Sequence, residues 1–380
     1  MNKQMIKRTL IASLFCYISY NSIQLLTAQQ DDLLVPEGGY NDGFLQRFQI
    51  QPLNNNHGHH HHRELAIPKL EITHPFMRRS HPDLTPLVIP EFKLIMVTIP
   101  KVGCTEWNRL ARVMMGHEDD LEQRFNHIPE MNGLTYLSDF SLKEAESMLL
   151  DKQWTKAVFL RDPMERILSA FLDKSVKSEY FTHVCCDPYL ENNSDSTLGL
   201  GLTKEEGQKE YDFCKRFKGD FIYFLLRTED CYNMHWSKQY QAVGNRWWPY
   251  IDFVGNMDRA EEDARTLLES LVSEYDGQTA WEKYGKTGWG KQGDRTKAFL
   301  EKDTAPHQTG AKDRMRKFYT RCAEAFVKDR WEGDYNSPHF QFHPIKLFHP
   351  QVDLEKCNFT MEKFKETVAK LDREREMGLV

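Results

Sequence analysis

The chain lacks a hydrophobic run that is long enough to mark a membrane span, since a spanning helix needs about 20 consecutive apolar residues. Its N-terminal segment carries basic residues such as Lys7 and Arg8, followed by a short apolar stretch at 10–20 that serines dilute. This composition fits a signal peptide cleaved near Ala28, and it equally fits an uncleaved signal anchor. Residues 1–28 are therefore predicted to be one or the other, with the body of the chain lumenal or secreted.

The chain also lacks an excess of positive charge. Its 50 lysines and arginines are outnumbered by 56 aspartates and glutamates, which gives a net charge of −6 at pH 7. Proteins that coat nucleic acid or anionic membranes without specificity are basic, so this balance argues against such partners. No nucleic-acid partner is predicted. A local basic cluster at 312–330 is expected to be mostly a solvated helix face.

Cysteine, in contrast, occurs in a pattern that suits an oxidising compartment. Eight are present, and outside the N-terminal segment and the loop around Cys104 their count is even. Two disulfides of open connectivity are predicted among four clustered cysteines, and a third within a C-terminal pair: Cys185, Cys186, Cys214 and Cys231, then Cys322 and Cys357. A zinc site is the competing interpretation. It is disfavoured because adjacent cysteines cannot easily both ligate one tetrahedral ion.

The order of the predicted elements indicates an α/β fold. Three segments are predicted: a stem or linker rich in Gln, Asn, Pro and His at 29–90, a folded domain at 91–345 and a C-terminal extension at 346–380. Strands are predicted at 94–99, 156–161 and 251–255, and helices at 105–115, 141–150, 163–177, 205–218, 258–274 and 312–330. Such alternation implies a parallel sheet flanked by helices. The aperiodic stretch 276–311 is expected to be a long functional loop rather than packed structure.

The most informative stretch runs from Leu94 to Arg109. An apolar run ends at Pro100, a Lys-x-Gly-Cys-Thr loop follows, and the next apolar residues have helical spacing. A strand that passes through a tight loop into a helix N-terminus can bind an anion through backbone N–H groups and the helix dipole. Lys101 adds a full positive charge there. The loop is not a Walker A motif, because its lysine precedes its only glycine, so a different anion or a different cradle is predicted.

A second strand-to-helix junction follows downstream. Residues 157–160 are predicted to form a buried strand, after which Asp162 and Pro163 occupy the N-cap and the first helical position. Arg161 lies at the carboxyl end of that strand, and Ser169 lies within the helix. In an α/β sheet both junctions open onto one crevice at the carboxyl edge. Two phosphate-binding junctions that open onto one crevice indicate a ligand with two separated anionic groups.

These residues resemble motifs of the Golgi carbohydrate sulfotransferases, notably the chondroitin and dermatan enzymes. Residues 100–105 resemble their 5′-phosphosulfate loop, and 161–169 resemble their 3′-phosphate motif. Residues 235–239 are similar to a His-Trp-x-Pro-Gln segment of the family, although Lys238 replaces the proline. The resemblance covers roughly 90–335 and implies the sulfotransferase fold, an α/β arrangement with a P-loop-like parallel sheet flanked by helices.

The resemblance also implies the co-substrate 3′-phosphoadenosine 5′-phosphosulfate and no metal. The phosphosulfate would be held by six loop residues: Pro100, Lys101, Val102, Gly103, Cys104 and Thr105. Lys101 would act in catalysis by neutralising charge on the leaving phosphate oxygen. Arg161 and Ser169 would bind the 3′-phosphate. Residues 304–312 resemble the segment of the family that closes near that phosphate.

The predicted reaction is transfer of a sulfuryl group to a hydroxyl of a carbohydrate acceptor, and it needs a general base. Histidine has a suitable pKa, and His127, which lies between the two nucleotide motifs, is predicted to be that base. His235 is the alternative base, and His235 and Trp236 are predicted to bind the acceptor. The resemblance to Golgi enzymes implies a type II membrane protein with its folded domain in the Golgi lumen and a single-pass anchor. If the leader is cleaved, it implies a secreted protein instead. Sequons at Asn192 and Asn358 predict a glycoprotein.

Two other classes of function stay open at this point. One is a P-loop-type nucleotide-dependent kinase, which would need a second loop glycine that the segment 100–105 lacks. The other is a non-catalytic lumenal protein that binds sulfated glycans through the basic cluster at 312–330. The joint presence of Lys101, Arg161 and Ser169 argues against that alternative. The sequence leaves the acceptor sugar, the sulfated position and the oligomeric state open.

Overall fold

The computed structural model describes a chain built around one four-stranded sheet. The described residues are 86–117, 128–190, 202–244, 248–290, 295–301, 309–339, 345–348, 352–357 and 359–377. The strands lie in the order β1-β2-β3-β4, with bounds Leu87–Ile89, Leu94–Val97, Thr155–Leu160 and Phe253–Asn256. β1 is antiparallel to β2, and the other two pairs are parallel. The predicted α/β fold with a parallel sheet is confirmed, and β1 is an additional strand.

Strands β2 and β3 are buried on both faces, and apart from Thr155 and Lys156 at the start of β3 their residues are apolar. All four residues of β2 are buried, and in β3 only the first residue, Thr155, is partly exposed. Such continuous apolar runs are typical of parallel strands that helices cover on both sides. The register pairs Val97 with Val158 and Leu160 with Asn256, so the carboxyl ends of β2, β3 and β4 share one edge of the sheet.

The helices of the described chain flank this sheet. They are α1 Cys104–Met114, α2 Pro129–Asn132, α3 Leu142–Leu150, α4 Pro163–Ala170, α5 Lys204–Phe217, α6 Phe221–Arg227, α7 Gln239–Val243, α8 Ala260–Ser270, α9 Ala311–Phe318, α10 Arg321–Arg330, α11 Glu332–Asn336 and α12 Met361–Glu376. The six predicted helices are found, but the one predicted at 312–330 is two. The break has a physical cause, because the Thr320 hydroxyl accepts the Ala323 N–H at 3.1 Å and caps α10.

A hydrophobic core surrounds α4, every residue of which is buried. Helices α6, α9 and α10 contribute to the same core, and the Tyr319 hydroxyl donates to the Met164 carbonyl at 2.8 Å. The C-terminal helix α12 packs against it through Phe364, whose ring centroid lies 5.4 Å from that of Phe217. Helix α4, which carries the second sequence motif, is therefore held rigidly by its surroundings.

Three disulfides tie this core together. They join Cys185 to Cys231, Cys186 to Cys214 and Cys322 to Cys357. The predicted disulfides are confirmed, and the connectivity that the sequence left open is settled. Closing loops of 46, 28 and 35 residues stabilises the fold by about 3.5–4 kcal/mol each in the chain-entropy model.

The described parts of 276–311 are packed, so the expectation of a loop without packed structure is wrong there. Trp281–Gly285 forms a π-helical turn, and Trp289 pairs with Lys297 in an isolated β-bridge. Phe299 is fully buried, with its ring 4.8 Å from that of Trp289 and 4.9 Å from that of Trp107. Aromatic anchors fix this segment without periodic spacing, which is why the pattern did not reveal it. Within the described residues, no helix is both long and apolar enough to span a membrane.

Candidate functional site

The first motif forms a tight turn between β2 and α1. The Val102 N–H donates to the Ile99 carbonyl at 3.1 Å, and the Gly103 carbonyl accepts the N–H of Glu106 at 3.0 Å to begin the helix. Lys101 and Gly103 both have left-handed backbones, with φ of 67° and 72°. That conformation costs a residue with a Cβ about 1–2 kcal/mol. Lys101 is therefore held in a strained conformation that the surrounding contacts must stabilise.

Two arginines of the second motif provide those contacts. The Arg161 Nη1 donates to the Lys101 carbonyl at 3.1 Å, and the Arg166 Nε donates to the Pro100 carbonyl at 2.9 Å. Arg161 follows β3 and Arg166 lies on α4. The structure thus brings the two motifs into direct contact at the carboxyl edge of the sheet, where the sequence analysis expects one crevice.

Arg166 connects a third segment to the same loop. Its Nη2 donates to the Met234 carbonyl at 2.7 Å, and its Nη1 donates to the Ser237 carbonyl. The side chain is 1% exposed. Burial lowers the pKa of the Arg166 guanidinium to about 10, although the negative charge of Asp334 raises it. The group therefore stays protonated at neutral pH. Sequence reasoning missed this role, and the only available signal is the second arginine of the motif.

Gln239 is a further residue that sequence reasoning did not assign. Its Oε1 accepts the Arg161 N–H at 3.0 Å, and its Nε2 donates to the Arg161 carbonyl at 2.7 Å. The buried Asp334 carboxylate accepts the N–H groups of Gln239 and Tyr240 at 2.9 and 3.0 Å. Gln239 therefore fixes the backbone from which the Arg161 side chain extends, and it belongs to the segment that resembles His-Trp-x-Pro-Gln.

The Lys101 side chain is largely buried. Its Nζ lies 2.7 Å from Oδ2 of Asp173, and 15% of the side chain is exposed. Burial lowers the pKa of the Lys101 ammonium, whereas the Asp173 carboxylate raises it. Cys104, at the start of α1, is partly exposed and is the unbridged cysteine among the described residues.

Arg161 forms an ion pair with Glu165, at 3.3 Å from Nε to Oε2, rather than with Asp162. Asp162 instead caps α4 as predicted, because its Oδ1 accepts the Met164 N–H at 2.9 Å and the Glu165 N–H at 3.2 Å. The Arg161 side chain is 18% exposed, so it can still reach a ligand at the surface of the crevice.

Ser169 is 3% exposed and lies deeper than Arg161. Its hydroxyl accepts a hydrogen bond from the Thr309 hydroxyl at 3.1 Å. Residues 304–308 of the segment that is predicted to close near the phosphate lie outside the described residues.

Helix α9 starts after Gly310, and Lys312 in its first turn pairs with Asp258 at 2.9 Å. Lys312 is also close enough to Arg161 for the two positive charges to repel each other. We call Arg161, Lys312 and the N-terminus of α9 the second positive region; the carboxylates of Glu165 and Asp258 pair with its two side chains.

The residues predicted for the acceptor have different surroundings. Trp236 is 2% exposed, and its Nε1 donates to the Cys231 carbonyl at 2.7 Å, so its indole belongs to the core. His235 is partly buried, with Nδ1 2.7 Å from Oδ1 of Asn233 and its ring 5.0 Å from that of Tyr180. His127 lies outside the described residues. Across the described ranges no group of three or more His, Cys, Asp or Glu could hold a metal ion.

These features define a P-loop-like α/β protein in which two strand-to-helix junctions, each with a basic side chain, meet at the carboxyl edge of the sheet. Comparison with known proteins identifies the family. Residues 86–319 match the model of the sulfotransferase family, and the chain belongs to that family. The resemblance to sulfotransferases is thereby confirmed, and 3′-phosphoadenosine 5′-phosphosulfate is the co-substrate of such proteins.

Several curated proteins are similar to this chain. Human carbohydrate sulfotransferase 9 is 31% identical over 47% of this chain and 39% of its own length. Mouse carbohydrate sulfotransferase 11 is 27% identical over 60% of this chain and 63% of its own length. Human carbohydrate sulfotransferase 14 is 26% identical over 48% of this chain and 45% of its own length. The chain thus spans less than two thirds of each of these relatives. No solved structure matches it significantly.

Proposed function

We propose that this protein is a carbohydrate O-sulfotransferase, which transfers a sulfuryl group from 3′-phosphoadenosine 5′-phosphosulfate to a hydroxyl of a glycan or polysaccharide. The names of the similar proteins support this acceptor class. One observation carries the proposal for the site. The left-handed Lys101 loop is held by Arg161 and Arg166, so the two nucleotide motifs form one rigid unit.

In the proposed reaction, the donor phosphosulfate lies at the turn between β2 and α1. Lys101 neutralises the charge that grows on the leaving phosphate oxygen, and the first turn of α1 adds the positive end of its dipole. The 3′-phosphate lies in the second positive region, where Arg161 and Lys312 carry the charge and the hydroxyl pair of Ser169 and Thr309 forms the floor. The transfer is an in-line displacement similar to phosphoryl transfer.

The acceptor hydroxyl must lose its proton to a base. We propose His127 for this role, with His235 as the alternative and as the acceptor-binding residue. A neutral His235 that donates from Nδ1 to Asn233 carries its lone pair on Nε2, the arrangement that a general base needs. His127→Ala is expected to abolish transfer and to leave the affinity for the desulfated nucleotide intact. If His235→Ala has that effect instead, the two roles are exchanged.

The test is an assay of the full chain, made in a secretory host, with sulfur-labelled donor and a panel of desulfated polysaccharides. Transfer to at least one glycan is expected. Lys101→Ala should lower turnover about 10²–10³-fold, as for the loss of one oxyanion donor. Lys143→Ala, which removes an exposed lysine of α3, is the matched control and should keep full turnover. No transfer to any glycan, together with no binding of the desulfated nucleotide, would refute the proposal.

We further propose that the protein works in the Golgi lumen, either anchored as a type II membrane protein or secreted. The three disulfides support an oxidising compartment. Expression of the tagged full chain in cultured cells should give Golgi staining and a mass shift on glycosidase treatment, from the sequons at Asn192 and Asn358. N-terminal sequencing of the mature protein distinguishes a leader cleaved near Ala28 from an intact anchor.

A further inference from the structure

Helix α4 changes its winding as it leaves the core. After Ala170 it continues as a π-helical segment, Phe171–Val176, in which Phe171 and Leu172 stay buried. π-Helical turns are rare and occur frequently at functional sites, where they change the direction of side chains. The segment carries Asp173 and Lys174, two charged residues that the proposed reaction has not yet used.

Asp173 lies between two lysines. Its Oδ2 is 2.7 Å from the Lys101 Nζ and 3.5 Å from the Lys174 Nζ. The Asp173 side chain is 35% exposed, compared with 15% for Lys101, so the carboxylate is the more exposed member of the pair. The same carboxylate thus contacts the lysine of the first motif from the helix of the second motif.

We propose that Asp173 is a positioning residue for Lys101, which holds the ammonium group over the donor site and keeps it charged. The proposal rests on the role proposed above for Lys101. A lysine side chain has many rotamers, and ordering it costs conformational entropy. The 2.7 Å ion pair with Asp173 fixes the direction of the Lys101 side chain before the donor binds. Less conformational entropy of that side chain is therefore lost during the reaction.

Among the described residues, three titratable groups face Lys101: Asp173, Cys104 and Lys174. Burial lowers the pKa of Lys101, Asp173 and Cys104 raise it, and Lys174 lowers it. A charged Lys101 is required for catalysis, so activity is lost as pH rises through its pKa. Removing Asp173 lowers that pKa further, and removing Lys174 raises it.

Two variants are therefore expected to move the alkaline limb of the rate profile in opposite directions. Asp173→Asn should move it to lower pH, and Lys174→Gln should move it to higher pH. Asp173→Glu keeps the carboxylate and should return the limb towards the wild-type position. Glu179→Gln is the matched control. Glu179 lies six residues after Asp173 in the chain, forms an ion pair with Lys218, and is not among the groups that face Lys101.

The experiment uses the full chain, the labelled donor and whichever polysaccharide the wild type sulfates, with initial rates measured from neutral to alkaline pH. A second readout needs no acceptor. The pH dependence of Lys101 acetylation, followed by peptide mass spectrometry, reports the pKa of that lysine directly. Affinity for the desulfated nucleotide shows that each variant is folded.

Opposite shifts for Asp173→Asn and Lys174→Gln, in both readouts, would support the proposal. It is overturned if Asp173→Asn leaves the alkaline limb and the acetylation profile of Lys101 unchanged while Lys101→Ala still loses turnover. If Asp173→Asn does not fold, Asp173→Ser, which also removes the carboxylate, decides by the same criterion. Absence of transfer by the wild type would instead refute the proposed function, and the acetylation profile would still test the ion pair.

Discussion

Arg166→Lys is the substitution that tests most directly how the loop is held. The Arg166 guanidinium bonds three backbone carbonyls at once, those of Pro100, Met234 and Ser237. A guanidinium presents donors in a planar fork, whereas an ammonium is a compact charge on a flexible stem. Lysine at this position keeps the charge but reaches one of the three carbonyls. The other two carbonyls then lose their partner at a buried position, because Arg166 itself is only 1% exposed.

The magnitude follows from these contacts. A hydrogen bond to a charged group contributes about 1.5–3 kcal/mol, so losing two of them costs about 3–6 kcal/mol. The total stability of a folded domain is about 5–15 kcal/mol, so this single change removes a large part of it. Because the Pro100 carbonyl precedes Lys101, donor binding should weaken along with the fold.

Urea unfolding of the wild type and of Arg166→Lys measures this loss of stability. Titration with the desulfated nucleotide, at pH 7 and without urea, measures binding. Arg216→Lys is the matched control, because Arg216 pairs with Asp372 at the surface, and its midpoint should not change. An unchanged midpoint and unchanged nucleotide affinity in Arg166→Lys would refute the reasoning that this arginine stabilises the loop.

Two other substitutions test the nucleotide site and the sheet. Arg161→Ala should weaken binding of the 3′-phosphorylated donor by about 1.5–3 kcal/mol and weaken adenosine 5′-phosphosulfate less; equal losses in calorimetric titrations would remove Arg161 from the 3′-phosphate. Gly255→Ala should lower stability by about 1–3 kcal/mol, because a Cβ there would lie 2.4 Å from Cε1 of Phe159. Gly219→Ala, which meets nothing within 4 Å, is the control for the thermal melts, and equal melting temperatures would contradict the packing argument.

The strands and caps that the sequence predicts correctly are those whose signals are local. The apolar run that ends before Pro100 lies in β2, and the Asp-Pro pair at 162–163 begins α4 as expected. The break at Thr320 has a local signal too, a threonine that caps α10, but it lies inside the basic cluster 312–330, which has the composition of a single helix face. Strand β1 has only three residues, too few for any periodicity to appear.

The residues of the site also divide into those with a local sequence signal and those without one. Lys101 and Arg161 could be proposed from sequence because each lies within a short motif at the end of a strand. Arg166, Gln239 and Asp173 could not, because their contacts join positions 66, 78 and 72 residues apart. A role that depends on such contacts leaves no pattern in one sequence, and only the packing of α4 against the loop reveals it.

The hydrogen bond from Arg161 to the Lys101 carbonyl has a consequence for how the two ends of a bound nucleotide communicate. A ligand group that draws the Arg161 guanidinium towards itself also changes the support of the strained turn on which Lys101 stands. The two subsites therefore share a coupling free energy, and by linkage each must change the affinity of the other by the same factor. In the donor site proposed above, occupation of the 3′-phosphate subsite would then change the affinity of the phosphosulfate subsite, although the two bound groups do not touch.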